Sequence, residues 1–468
     1  MRRPNKQKPV LENIEITAAG AEGKAIARID NKVVFVPFAV PGDVVDIQII
    51  KKKKSYFEGK IREIKVKSPL RIEPRCEHFG LCGGCKWQIL SYKQQLVYKQ
   101  QQVVDNFERL GKLDTSGIKP VIPSPNEYFY RNKLEFTFLF RKWLTENDDQ
   151  PQNDHDMYGL GFHLPGMFDR IIDLQNCYLQ PEPSNTIRLA FRQFCLDKKY
   201  QFYNNRIHEG FLRNLIVRNT SGGQLMIIVV FARDENNNIK DCLDFLVQNF
   251  PAITSLYYVI NTKRNDIIND QELILFKGAP FILEEADGLK FKIGPVTFFQ
   301  TNSRQAFVLY EVARKMAGFT GNETVYDLYC GAGTITNFIA QKVKKVIGIE
   351  YIPSAVDDAR ENSKLNNISN TVFVAGDIAN TLTPEFFTKN GHPDVIITDP
   401  PRSGMHPKVV DQIGKANPAK IVYISCNPAT QARDIAMLGT QYKIKEIQPV
   451  DMFPQTHHIE NVVLLVRE

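Results

Sequence analysis

Apolar and polar positions alternate with a period of two at Leu11 to Ile16, Ala25 to Ile29, Val33 to Val36, Val44 to Ile50 and Phe57 to Ile64. Gly20, Gly23, Asp30-Asn31 and Pro41-Gly42 punctuate these runs, so the spacing predicts five short strands joined by tight turns. Five such strands close into a small β-barrel of the oligonucleotide-binding (OB-like) kind, here over residues 1–67. Over 91–112 the pattern lengthens to that of a helix ended by Gly111, and Pro120, Pro123 and Pro125 mark a linker, giving a connecting region at 68–126. Alternation resumes at Leu134 to Phe138, and apolar runs recur at Leu212 to Val217, Leu225 to Val230 and Ser255 to Ile260. Residues 127–287 are therefore predicted to form an α+β middle domain. Within it, Glu146 to Asp156 has no apolar residue and is expected to be an exposed loop.

The last third changes to a strand, glycine turn, helix, strand order. Val325 to Leu328 leads into Gly331-x-Gly333, a helix runs to Val343, and Val346 to Ile349 ends in Glu350. This is the first βαβ unit of a Rossmann-like sheet, predicted to span 288–468. Thr336 replaces the third glycine of the dinucleotide pattern, which argues against a pyrophosphate packed on the helix. The acids instead suit S-adenosylmethionine: Gly331 and Gly333 let the backbone approach the methionine moiety, Glu350 accepts from the ribose hydroxyls, and Asp377 meets the adenine. Helix capping is the competing role for Glu350 and Asp377. Asp394 to Thr398 leads to Asp399-Pro400-Pro401-Arg402, whose prolines fix a rigid turn that aims Asp399 at the site. A further buried strand, Ile421 to Ile424, stops at Ser425-Cys426-Asn427-Pro428. Cys426 thus lies at the carboxyl end of a strand, where open α/β sheets bind ligands, although a free cysteine is also a common core residue.

Composition narrows the class. At 468 residues the chain has room for about three domains, and 43% hydrophobic with 24% charged residues is ordinary for a soluble globular protein. No apolar run reaches membrane-spanning length and the basic, polar start lacks a signal-peptide pattern, so the expected location is the cytoplasm. The net charge of +7 sits entirely within residues 1–67, which hold 15 Lys or Arg against 8 Asp or Glu. Lys51 to Lys54 lie there with Phe35, Phe38, Tyr56 and Phe57, a combination of cations and aromatics that fits single-stranded nucleic acid. A solvated hairpin is the plainer account of the lysines.

Cys76, Cys82 and Cys85 form a C-x5-C-x2-C run in a glycine-rich loop, and in a reducing compartment three such thiols point to a metal. Cys177 is the candidate fourth ligand, because Cys195 and Cys242 fall in apolar helical patterns. The spacing leaves zinc and an iron–sulfur cluster both open. His78 is a possible zinc ligand, with a surface position the expected reading.

Taken together, the barrel, the cysteine run with Cys177, Phe298-Phe299-Gln300-Thr301-Asn302, Asp327 to Gly333, Asp399 to Arg402, Ser425 to Pro428 and His458-Ile459-Glu460-Asn461 resemble the TRAM-containing, iron–sulfur RNA uridine-C5 methyltransferases of bacteria. The enzymes forming 5-methyluridine in 23S ribosomal RNA are the nearest in pattern. The resemblance implies a [4Fe-4S] cluster on Cys76, Cys82, Cys85 and Cys177, with a structural role. It also implies S-adenosylmethionine contacts at Gln300, Tyr329, Gly331, Gly333, Thr334, Glu350, Asp377 and Asp399. Tyr329 and Thr334 depart from residues found in some members.

The chemistry expected of that family uses Cys426 as a covalent catalyst and Glu460 as the base, with His457 and His458 as secondary candidates. Cys330 is expected to be filler, and Arg402 to meet a phosphate. RNA is the implied partner, ribosomal first and transfer RNA second; no membrane and no obligate protein partner is implied. Two other classes remain: a non-catalytic RNA-binding module, and a methyltransferase acting on an amino nitrogen, which would have no use for Cys426.

Overall fold

The structure, a computed structural model, describes residues 9–145 and 150–468. The first strands bury one face around Ile16, Ala25, Ala27, Val34, Val36, Val45, Ile47 and Ile49, as their alternation demands. They are β1 (Val10–Glu15), β2 (Ala18–Ala19), β3 (Ala25–Ile29), β4 (Lys32–Val36), β5 (Val44–Lys52) and β6 (Tyr56–Val66). The sheet has six strands in the order β1-β5-β6-β4-β3-β2, not five, and among the described residues its hydrogen-bonded order is open. The additional strand is only two residues long, too short to show a period. Lys51 and Lys52 end β5 at an exposed hairpin, with Lys51 Nζ 3.4 Å from Glu58.

Helix α1 (Tyr92–Asn106) starts at Ser91, whose hydroxyl accepts from Gln94 N, and passes through a wider turn at Phe107–Gly111. Beyond it, Ile118 and Ile122 bridge to the last domain at Ile447 and Val450, so the proline-rich linker is tied down.

The middle domain contains β7 (Lys133–Leu139), β8 (Gly159–Leu164), β9 (Met167–Asp173), α2 (Ser184–Asp197), β10 (Leu212–Asn219), β11 (Leu225–Phe231), α3 (Asn236–Asn249), β12 (Ile253–Ile260) and β13 (Leu273–Gly278). Its strands form one sheet, β13-β12-β11-β10-β7-β8-β9. One face packs on α2 and α3 with Cys195 and Cys242 buried; the other shares a core with the last domain through Ile216, Met226, Ile228 and Val230. Residues 146–149 of the expected loop lie outside the described residues, and 150–156 are exposed, with a single helical turn beginning at Asp154.

A hairpin, β14 (Ile282–Ala286) and β15 (Leu289–Ile293), precedes α4 (Ser303–Ala317). The final sheet follows: β16 (Thr324–Leu328), α5 (Thr334–Ala340), β17 (Lys345–Glu350), α6 (Pro353–Leu365), β18 (Thr371–Ala375), α7 (Ile378–Thr381), α8 (Pro384–Asn390), β19 (Val395–Thr398), α9 (Pro407–Ala416), β20 (Lys420–Ser425), α10 (Pro428–Met437), β21 (Tyr442–Val450) and β22 (Glu460–Arg467). The order is β18-β17-β16-β19-β20-β22-β21, parallel from β18 to β20, with β22 antiparallel to both neighbours. The chain winds outward from β16 in one direction and returns on its other side at β19. That switch point opens a crevice at the strands' carboxyl ends. No helix among the described residues is long and apolar enough to cross a membrane.

Buried Asp43 organises the exit from the first sheet, accepting from Val40 N at 2.7 Å, Ser68 N at 2.9 Å and Arg71 Nε at 3.1 Å. Asp43→Ala leaves the Arg71 charge and two amides without their acceptor. It is expected to destabilise this sheet by about 3–5 kcal/mol, read as a lower urea midpoint.

Candidate active site

Four strand termini meet at the crevice. Cys426 directly follows β20, and Asn427 caps α10 by accepting from Ala429 N at 3.1 Å, so the thiol stands at the seam between strand and helix. The antiparallel register pairs Ser425 with Asn461, which sets Glu460 on β22 beside Cys426. Gln431 locks this register, donating to the carbonyls of Tyr423 at 2.8 Å and Asn461 at 3.1 Å. Asp399 follows β19, between β16 and β20, and the Arg402 carbonyl accepts from Asn427 Nδ2 at 2.9 Å. Thiol, carboxylates and guanidinium therefore converge.

Their electrostatics are those of a dry pocket. Burial, then the charge of Glu460, pushes the Cys426 thiol up to about 11 against the pull of the positively charged Arg402. Burial and then the nearby Asp399 hold the Glu460 carboxyl well above the usual range, and burial raises Asp399 to about 7. His457 and His458, their rings 4.1 Å apart, are driven by burial down to about 4 and about 3. Both are neutral and weakly basic near neutral pH, which leaves Glu460 as the stronger base of the group.

The glycine turn lies one strand away. Tyr329, Gly331 and Gly333 all take positive φ (65°, 53° and 74°), folding the chain back beneath the strand end. A Cβ at Gly333 would stand 2.8 Å from Ala359 Cβ, whereas the space beside Gly331 is open for 4 Å. Glu350 faces this turn: its carboxylate accepts from Gly331 N at 3.1 Å and Ile352 N at 2.9 Å. Thr334 opens α5. Asp377 caps α7, accepting from Ala379 N at 3.0 Å, so the capping alternative holds for it, while its charge still reaches Tyr329. Gln300 lies in the loop before α4, anchored by Asn132 Nδ2 donating to its carbonyl at 2.8 Å. Cys330 packs against Val356, Ala359 and Phe373 as filler. The open glycine face and the acids along one rim fit a cationic, adenosine-bearing molecule.

Cys76, Cys82, Cys85 and Cys177 line one cavity of about 290 Å³. Among the described residues no three His, Cys, Asp or Glu side chains are placed to hold a metal ion. His78 is not a free surface residue: its Nε2 accepts from Gln175 N at 3.0 Å, joining the cysteine loop to the segment bearing Cys177. Sequence reasoning missed a second group, Gln95, Lys99, Asp451 and Gln455, whose buried side chains join α1 to the connection before Glu460. Polar residues on a helix carry no mark of partners more than 350 positions away.

The chain is similar to known proteins in both its first and its last domain. The sequence family described as tRNA (Uracil-5-)-methyltransferase matches residues 286–468, and the TRAM domain matches 12–61. A protein of Bacteroides thetaiotaomicron named as an uncharacterized RNA methyltransferase is 52% identical over 95% of this chain and 99% of its own length. One of the same description from Porphyromonas gingivalis is 52% identical over 97% and 99%. The solved Pyrococcus abyssi tRNA (uracil-54, C5)-methyltransferase, in complex with S-adenosyl-L-homocysteine, superposes with a TM-score of 0.75 at 27% identity, covering 97% of this chain and 100% of that one.

Because only the thiolate reacts with an alkylating reagent, a thiol raised to about 11 is expected to label slowly at pH 7 and ever faster up to pH 10. Glu460→Gln removes one cause of the rise and shifts that curve to lower pH, read by mass spectrometry of the Cys426 peptide. A plateau below pH 8 contradicts the raised thiol.

Proposed function

Since the chain belongs to the TRAM-containing RNA uracil-5-methyltransferase family, with S-adenosylmethionine as its methyl donor, we propose that it methylates C5 of a uridine in RNA through a covalent Cys426 adduct. The observation that carries this reading is the strand register that sets a carboxyl beside the thiol. C5 of uracil is too weak a nucleophile to take a methyl group unaided. Attack of the Cys426 sulfur on C6 moves the ring electrons toward C5 and O4, making an enolate. The thiol proton must leave first, and Asp399, at about 7, divides between its two forms at neutral pH and can take it. The positive charge of Arg402 nearby favours the thiolate.

S-adenosylmethionine supplies an electrophilic methyl group when bound. Gln300, Tyr329, Gly331, Gly333, Thr334, Glu350 and Asp399 are the residues we assign to holding it, with Asp377, which also caps α7, near the adenine. Once C5 has attacked that methyl, Glu460 in its ionised form removes the C5 proton; the returning electrons break the C6–S bond and free Cys426. The uridine must leave its stack to reach the crevice.

We assign Cys76, Cys82, Cys85 and Cys177 to a [4Fe-4S] cluster. A single zinc ion bonds each sulfur at about 2.3 Å and so draws all four together. The family resemblance carried by the C-x5-C-x2-C run with Cys177 is what favours iron over zinc here, and a four-iron core would give each thiolate its own iron. Held by these four thiolates, such a cluster would have no iron left open and would serve a structural role.

Large-subunit ribosomal RNA is the target favoured by the pairing of TRAM sheet and cysteine loop. The Pyrococcus abyssi tRNA (uracil-54, C5)-methyltransferase, which aligns with 97% of this chain, favours transfer RNA instead. Mapping 5-methyluridine in the RNA of a deletion strain separates the two by which RNA loses the base.

Cys426→Ala is expected to abolish methyl transfer, whereas Glu460→Gln is expected to leave the methylated RNA attached to the protein. Transfer of labelled methyl followed by denaturing gel electrophoresis measures both. Full activity of Cys426→Ala would favour methylation of an amino nitrogen.

A further inference from the structure

Resting on the covalent reading above, we propose that Gln95 and Lys99 of α1 are positioning residues for Glu460, fixing the C5-proton-removal step through the connection 451–459.

This connection joins Val450 at the end of β21 to Glu460 at the start of β22, a hydrogen-bonded pair in the register. Any movement of it is felt at the carboxyl. It is held from three sides. Lys99 and Asp451 are fully buried, and Lys99 Nζ donates to Asp451 Oδ1 at 2.6 Å and to the Phe453 carbonyl at 3.0 Å. Gln95 and Gln455 bond reciprocally: Gln95 Nε2 donates to Gln455 Oε1 at 2.9 Å, and Gln455 N donates to Gln95 Oε1 at 2.9 Å. From the middle domain, Tyr130 Oη donates to the Pro454 carbonyl at 2.9 Å, and the loop bearing Gln300 adds Asn302 Nδ2 to the Met452 carbonyl at 2.9 Å.

The same clamp reaches the cysteine loop. The Gln455 carbonyl accepts from Lys86 N at 2.8 Å and Trp87 N at 3.1 Å, the two residues after Cys85, while Gln88 Oε1 accepts from Cys76 N at 3.0 Å. Backbone and side-chain bonds thus run without a break from two of the four cysteines to the base. Gln95, Lys99, Asp451 and Gln455 are buried, so they act through Glu460 and not on substrate directly. The physical reason for burying an ion pair here is that neither partner tolerates loss of the other, so the connection is confined to one position.

Proton removal requires hydrogen-bonding distance, and a displacement of about 1 Å costs on the order of 100-fold. Methyl transfer, which depends on Cys426 and the glycine turn, does not. The test uses the full chain with uridine-containing RNA and labelled S-adenosylmethionine, scoring first-turnover methyl transfer, steady-state turnover and gel-stable RNA–protein adduct. The variants are Gln95→Met, Lys99→Met combined with Asp451→Asn, and Glu460→Gln as reference. The combined variant leaves no unpaired buried charge and is expected to fold, which thermal unfolding checks.

The expected result is a turnover lowered roughly 10- to 100-fold, with first-turnover transfer little changed and adduct accumulating as it does in Glu460→Gln. If Glu460→Gln traps adduct but folded clamp variants do not, the positioning role is overturned and the covalent reading stands. Should Glu460→Gln itself trap none, the covalent reading falls first.

Discussion

The antiparallel pairing of β20 with β22 is the constraint on which the site depends. A register slip of one residue would turn Glu460 to the other face of the sheet, because side chains alternate along a strand. The neighbours make that slip costly: Val462, Val463 and Leu465 are buried, and Gln431 bonds both strands at once. The hydrophobic pattern that builds the sheet thereby also aligns the chemistry. Burial then does the rest, raising the Cys426 thiol to about 11 and pushing the Glu460 carboxyl well above the usual carboxylate range.

Around this pair the remaining parts have separable tasks. The switch between β16 and β19 opens the crevice, the positive-φ turn at Gly331 and Gly333 gives its floor, and Glu350 borders it. The middle domain abuts the same place: Asn132 holds the Gln300 loop, and Ile216, Met226, Ile228 and Val230 share a core with the last domain. The N-terminal sheet reaches it too: the carbonyl of Gly23 accepts from Trp87 Nε1, and Gly23 lies against His457. RNA bound on that sheet would lie close to the loop that leads to Glu460.

Much of this was legible in sequence because it is local. Strands end where apolar runs end, so Cys426, Glu350 and Asp399 announced themselves as strand-end residues, and the turn glycines marked the crevice. Short strands were harder: Ala18–Ala19 has no period to detect, and an expected five-stranded closed barrel is a six-stranded sheet with an open order. Asp377 could be read as a ligand group or as a helix cap, and the structure shows the cap. Least legible were His78 and the Gln95–Gln455 and Lys99–Asp451 pairs. Their partners are set by tertiary packing, to which neither propensity nor spacing points.

The most direct measurement is covalent trapping with RNA carrying 5-fluorouridine, whose C5 has no proton for Glu460 to remove. In the presence of S-adenosylmethionine, mass spectrometry is expected to find the nucleotide attached to the peptide containing Cys426. No attachment, or attachment at another residue, would contradict the account.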